Sequence, residues 1–191
     1  MKTAAITVTE YQRFQDAYDF FNRELFEGSL PQVLVTLQRH ARTYGYFSPQ
    51  QFSGRIDKTA VHELALNPDS FIGRTDEMIL STLVHEMCHV WQQTHGKAPR
   101  RGYHDRQWAG KMREIGLQPS STGEEGGAET GQSVSHYIIP GGYRVSVPLA
   151  ICSGKRRREG EEIQQDEVYL PGVRAKRLGE AGRPLTLWRV R

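Results

Sequence analysis

The stretch VHEMCHVWQQTHGKAPRRGYHDRQW, from Val84 to Trp108, constrains this chain more than any other. Leu80, Leu83, Val84, Met87, Val90 and Trp91 recur at helical spacing and make an apolar stripe that a helix must bury. The same helix carries His85, Glu86 and His89 in an HExxH pattern. At about 100° per residue the two histidines lie about 40° apart and one turn along, so their imidazoles can converge on one tetrahedral ion. Glu86 lies about 100° round, near enough to reach a water on that ion without being a ligand. A metal held this way lowers the pKa of a water and polarises a carbonyl, while the glutamate takes the proton. A core helix could carry the pattern by coincidence, but here it sits on an amphipathic helix bordered by strands and a glycine stop, where the mechanism needs it.

A third ligand must come from elsewhere. His95 completes HExxHxxQxxH, one substitution from HExxHxxGxxH, in which glycine lets the chain leave the helix and swing the last histidine back. Position 92 is Gln, so the helix should continue and turn His95 about 240° away from His89. His104 follows the break at Gly96 and Pro99 and stands at the entrance of the next helix, where a turn can present its ring to the first two. Glu114 is a weaker option as a carboxylate ligand, and Cys88 reads as a small buried hydrophobe. The expected metal ligands are therefore His85, His89 and His104, holding Zn2+ with a fourth position open to water, the mark of a catalytic site. His62 and Glu63 begin a second HE pair, but Leu66 stands where a second histidine would be needed, and the segment alternates like a strand. His62 reads as structural or surface.

Around the motif, Thr9 to Phe26 is expected to form an amphipathic helix through Tyr11, Phe14, Tyr18, Phe21 and Leu25, with Thr9 and Gln12 as a capping box and Gly28 closing it. VLVTLQ (Val33 to Gln38), TYGYF (Thr43 to Phe47) and VHELAL (Val61 to Leu66) read as three short strands. Thr75, Asp76 and Glu77 supply a cap and favourable charges for the motif helix. A shorter helix follows Trp108 and ends at Gly116, Gln118 to Thr130 has the Ser, Gly and Glu content of a flexible loop, and SHYIIPGGYRVSVPL reads as a hairpin. The expected class is α+β: a small antiparallel sheet with an N-terminal helix and the HExxH helix, and a C-terminal β-rich appendage. At 191 residues the chain fits one medium domain, divided into a core over 1–117, a loop over 118–133, and a hairpin with a charged region over 134–191.

Composition narrows the partners and the compartment. A net charge of +3 permits an anionic partner without requiring one. Arg100, Arg101 and the run Lys155, Arg156, Arg157 and Arg158 are the candidates for DNA contact, although Glu159, Glu161 and Glu162 partly cancel the field of that run. Tyr137, Tyr143 and Trp188 could stack on unpaired bases but show no ordered interleaving. Two cysteines, Cys88 and Cys152, exclude a disulfide framework and a four-thiolate metal site within one chain, which points to a reducing compartment. With no apolar signal-type segment and no membrane-length stretch, the expectation is a soluble cytoplasmic protein.

YDFFNRELFEGSLPQVLVTL, RTYGYF, LALNP, TLVHEMCHVWQQ and YHDRQW occur in the order seen in SprT-like, or Spartan-related, zinc metalloproteases. The chain resembles that family from about Tyr11 to Gly116. The family's histidine followed four residues on by an aromatic is met by His104 and Trp108. The resemblance implies a zincin-like domain that cleaves proteins, in several members proteins attached to DNA, as in repair of DNA-protein crosslinks. It also implies that the three histidines bind zinc and that Glu86 is general base and acid. Many members carry a C-terminal ribbon with four cysteines; here only Cys152 follows the catalytic region, so a region without that ribbon is expected. The expected reaction is peptide-bond hydrolysis, with Tyr103 as a second donor to the developing oxyanion. The competing reading is a nucleic-acid-binding or assembly module whose zinc site serves folding.

Overall fold

The first helix forms because its aromatic residues fall on one face. α1 (Ile6–Leu25) buries Phe14, Ala17, Tyr18 and Phe21. It begins three residues before the expected cap, at Ala5, which makes no side-chain cap bond. The Thr9 hydroxyl donates to the Ala5 carbonyl at 3.3 Å, and Gln12 Nε2 donates to Asp16 at 2.8 Å, so the expected Thr9–Gln12 capping box does not form. A threonine that bonds back one turn is spent inside the helix and has no cap left to offer. This computed structural model describes residues 5–100 and 102–141.

The end of α1 is stapled to the strand that follows. Gly28 takes a left-handed conformation (φ 68°), and its N–H donates to the Asn22 carbonyl at 2.9 Å. The Asn22 side chain donates to the Leu30 carbonyl (3.1 Å) and accepts from the Leu30 N–H (3.0 Å), and the Tyr18 hydroxyl donates to the Pro31 carbonyl (2.6 Å).

β1 (Leu34–Leu37), β2 (Gly45–Ser53) and β3 (Ala60–Leu66) form one sheet in the order β1-β3-β2. β3 runs antiparallel to β2 but parallel to β1, with Leu34 opposite Glu63 and Leu37 opposite Leu66. The expected antiparallel sheet is therefore mixed. After β1 the chain passes beyond the neighbouring position, lays down β2 on the far side, and returns through a hairpin to insert β3 between them. β2 also outruns its expected end, continuing past an irregularity between Ser48 and Phe52. There Gln50 (φ 52°) donates its N–H to His62 Nδ1 at 2.9 Å, which gives His62 a structural use.

α2 (Asp76–His95) starts at Thr75, whose hydroxyl accepts from the Met78 N–H at 3.3 Å, with Asp76 and Glu77 in the first turn. α3 (Arg106–Glu114) starts before Trp108, not after it, because the Asp105 carboxylate accepts from the N–H groups of Gln107 (2.9 Å) and Trp108 (3.0 Å). Tyr18 and Phe21 of α1, Leu64 and Leu66 of β3, Leu83 and Met87 of α2, and Trp108 and Met112 of α3 close one hydrophobic core.

β4 (Leu117–Ser120) and β5 (Ser135–Ile138) make a second, antiparallel pair. The stretch read as loop from Gln118 thus opens with a strand. Its turns are held by bonds such as Ser121 N–H to the Ala128 carbonyl (2.8 Å) and Ala128 N–H to Ser121 Oγ (3.0 Å). Ser135–Ile138, the first half of the expected hairpin, pairs with β4. The hairpin's second half, Arg101, Tyr143, Cys152, Lys155 to Arg158 and Trp188 lie outside the described residues. The architecture is α+β, and no helix among the described residues is long and apolar enough to cross a membrane.

Replacing Asn22 with Ala removes both partners of a buried Leu30 peptide group and should cost roughly 1–3 kcal/mol. Urea denaturation at neutral pH would show it as a lowered midpoint with an unchanged slope.

Candidate metal centre

α2 places His85 and His89 one turn apart, and the turn into α3 brings His104 to them. One nitrogen from each of the three rings lies within 4.8 Å of the others. Trp108 is the floor beneath all three, fully buried, with ring-centroid distances of 4.8, 5.1 and 4.4 Å to His85, His89 and His104. It stacks on His89 with an interplanar angle of 15° and meets the other two edge-on. That contact is the physical content of an aromatic four residues after His104.

A continued α2 needs a different device from a glycine turn to bring the third ring home. Gln92, fully buried, donates its Nε2 to Asp105 Oδ1 at 2.8 Å, tying α2 to the residue beside His104. Gly96 ends α2 against Gln107: a Cβ there would stand 2.6 Å from Gln107 Oε1, which accepts from the Lys97 N–H, and would displace that side chain. His104 itself exchanges backbone hydrogen bonds with Gly131, N–H to carbonyl at 2.8 Å and back at 3.0 Å.

Each outer nitrogen shows which inner one is free. His104 Nδ1 lies 3.2 Å from the Gly131 carbonyl, which can only accept, so a neutral His104 carries its proton on Nδ1 and leaves Nε2 for a metal. His85 Nδ1 lies 3.0 Å from His136 Nδ1. Sequence reasoning passed over His136: a strand histidine 51 residues from His85 has no ligand spacing to betray it.

The other sequence candidates lie apart from the cluster. His95 is exposed and meets the Ser29 carbonyl at 3.0 Å. Glu114 pairs with Lys111 at 2.7 Å, and Cys88 is buried, its thiol pushed up by burial. Tyr103 and Arg100 line the cleft in front of the histidines, with the guanidinium 4.2 Å from the tyrosine ring centroid. The cleft encloses about 1120 Å³, and Tyr44, Tyr46 and Glu63 also line it.

Glu86 is buried beside the cluster under the backbone of β2. A Cβ on Gly45 would stand 2.8 Å from the Ala65 carbonyl and 3.3 Å from Glu86 Cγ and Oε1, so glycine permits this approach. Burial pushes the Glu86 carboxyl up from 4.5 to about 8. It pushes the imidazoles the other way: His89 falls from 6.5 to about 3, chiefly by burial and then by the neighbouring His104, and His85 also falls well below 6.5. Neutral imidazoles are the form that donates to a metal, so the donor set fits a divalent transition ion.

These shifts have opposite signs in stability. The unfolded metal-free chain binds protons near 6.5 that the folded His85 and His89 refuse, so stability should fall below that pH by roughly 1.4 kcal/mol per unit for each such ring. Glu86 contributes fully below 4.5 and loses its contribution as pH rises through about 8. Metal-free protein should therefore be most stable near pH 6.5, and Glu86→Gln should abolish the decline above that pH and steepen the rise between 4.5 and 6.5. Denaturation curves from about pH 5 to about pH 8 would check this; an alkaline decline that persists in the variant contradicts it.

A family model described as the SprT-like family matches residues 14–129. A Salmonella typhimurium protein described as "Uncharacterized protein in mucB 3'region" is 50% identical over 58 residues, which are 30% of this chain and 78% of that protein. No solved structure matches. The matched span contains the three clustered histidines, Glu86 and Trp108, and covers well over half of the chain. The chain belongs to the SprT-like family.

Proposed function

We propose that this protein is a zinc-dependent endopeptidase resembling SprT and Spartan, cleaving DNA-associated or DNA-crosslinked proteins in the cytoplasm. The observation that carries the reading is the convergence of His85, His89 and His104 at the foot of a cleft, with the Glu86 carboxyl buried beside them. Zinc held by those rings would supply a Lewis acid for the scissile carbonyl and for water.

The chain's own groups account for the rest of the reaction. Burial raises the proton affinity of the Glu86 carboxylate, which favours its acting as a proton acceptor. Glu86 takes a proton from the attacking water and delivers it to the amine as the C–N bond breaks. Tyr103, lining the cleft, is the proposed second donor to the oxyanion. The cleft has room for a polypeptide segment, and Arg100 in its lining is the described member of the basic set proposed to meet DNA, together with Arg101 and Lys155 to Arg158. The preference for DNA-bound substrates rests on the family resemblance.

Glu86→Gln should lower cleavage of a DNA-bound protein substrate by roughly 10²–10⁴-fold while metal content and the far-UV circular dichroism spectrum stay close to those of the unaltered protein. If the variant cleaves as fast as the parent, or neither cleaves any substrate, the protein is better described as a binding module with a structural zinc site. DNA affinity measured across a salt series gives the companion test: a steep fall with salt is expected if the arginines and lysines meet phosphates.

A further inference from the structure

Two of the three clustered imidazoles are held from outside by one short segment, Gly131 to His136. Gly131 receives the His104 Nδ1 proton on its carbonyl, and His136 meets His85 Nδ1. Residues 131–136 lie beyond the span matched by the family model, which ends at 129.

The protons along the His136 contact have one consistent arrangement if His85 is to hold a metal. His85 must offer Nε2, so its proton sits on Nδ1 and is donated to His136 Nδ1 at 3.0 Å. His136, accepting at Nδ1, carries its own proton on Nε2 and donates it to Ser81 Oγ at 2.9 Å. The Ser81 hydroxyl then donates to the Met78 carbonyl at 2.9 Å, an acceptor that cannot pass the demand further. Each donor thus has an acceptor, and the series ends within α2, one turn before the motif.

We propose that His136 is a positioning residue: it fixes the tautomer and ring orientation of His85 through the series His85–His136–Ser81–Met78, and so couples β5 to the metal centre. A ligating histidine is normally held by a carboxylate, a carbonyl or a water, and loss of that partner weakens metal binding. Here a second imidazole takes that place, itself oriented by a serine. The role differs from ligation, since His136 lies outside the convergent set and on the far side of His85 from the free nitrogen. The inference rests on the metal centre proposed above.

The test uses the full chain stripped of metal and titrated with Zn2+ against a chromophoric chelator, and with Co2+ as a spectroscopic probe. His136→Phe keeps a ring of similar size and removes the acceptor; it should weaken Zn2+ binding by roughly 10–100-fold and alter the Co2+ absorption bands. His136→Asn presents an oxygen close to the original Nδ1 and should recover most of that loss. Ser81→Ala, which unpins the far nitrogen of His136, should weaken binding in the same direction by less. Circular dichroism of the metal-free variants separates these effects from loss of fold, and if His136→Phe does not fold, His136→Asn and Ser81→Ala carry the comparison. Wild-type affinity in both His136→Phe and Ser81→Ala overturns the proposal, as does a His136→Asn variant no better than His136→Phe. Failure of the unaltered chain to bind either metal overturns the metal centre itself, which is a distinct result.

Discussion

α2 has to be the middle of the hydrophobic core and the wall of a polar site at once, and the remaining architecture follows from that double demand. Leu83, Met87 and Val90 are fully buried on it, while His85 and Glu86 are nearly so. Imidazoles and a carboxyl in such surroundings lose most of their hydration, and the ordinary outcome is neutralisation. The chain uses that outcome. Burial holds the rings in the metal-binding form and lifts the carboxyl toward the range where it can exchange protons near neutral pH. The desolvation that costs stability is the same desolvation that keeps these rings and the carboxyl neutral.

The third histidine has to be held without a glycine turn, and the solution is a set of polar contacts where the two helices meet. Asp105 caps α3 and receives Gln92 from α2 on the same oxygen. Trp108, one turn into α3, is then directed under the three rings. Gly96 lets Gln107 reach the end of α2 from the other side. The placement of His104 thus depends on a cap, a buried amide and a missing Cβ rather than on its own backbone, and each of those residues stands within sixteen positions of the motif.

That nearness explains what could be read in advance. The apolar spacing of α2, the cap at Thr75, the approach of His104 and the turning of His95 away from the cluster are local matters, set by helix period and by breaks a few residues away. The direction of β1 was not legible, because parallel or antiparallel pairing depends on which strand is inserted between the others, and VLVTLQ reads the same in either case. The cap of α1 was misplaced because Thr9 suits both a cap and a back-bonded interior position. Between Gln118 and Thr130 the serines and glycines suggested slack, yet Ser121 bonds the Ala128 backbone from both its main chain and its hydroxyl. Composition there describes turns, and turns can be firmly held. His136 was invisible for the plainest reason: its meaning lies wholly in a partner 51 residues away.

The second sheet is where local and distant constraints meet. A two-stranded pair of four residues each is too small to stand alone. It is fastened on one side by Leu117, which enters the core directly after α3, and on the other by Gly131 and His136 against two of the histidines. If the outer nitrogens orient the rings, then rings oriented by a metal must in turn orient the strand, since a coupling free energy acts equally in both directions. On that proposal the short pair supports the centre, and a bound metal would in turn help to order the pair. Gly131 and His136 reach these rings from beyond the close of α3, so the contacts around the histidines span both sides of that point in the chain.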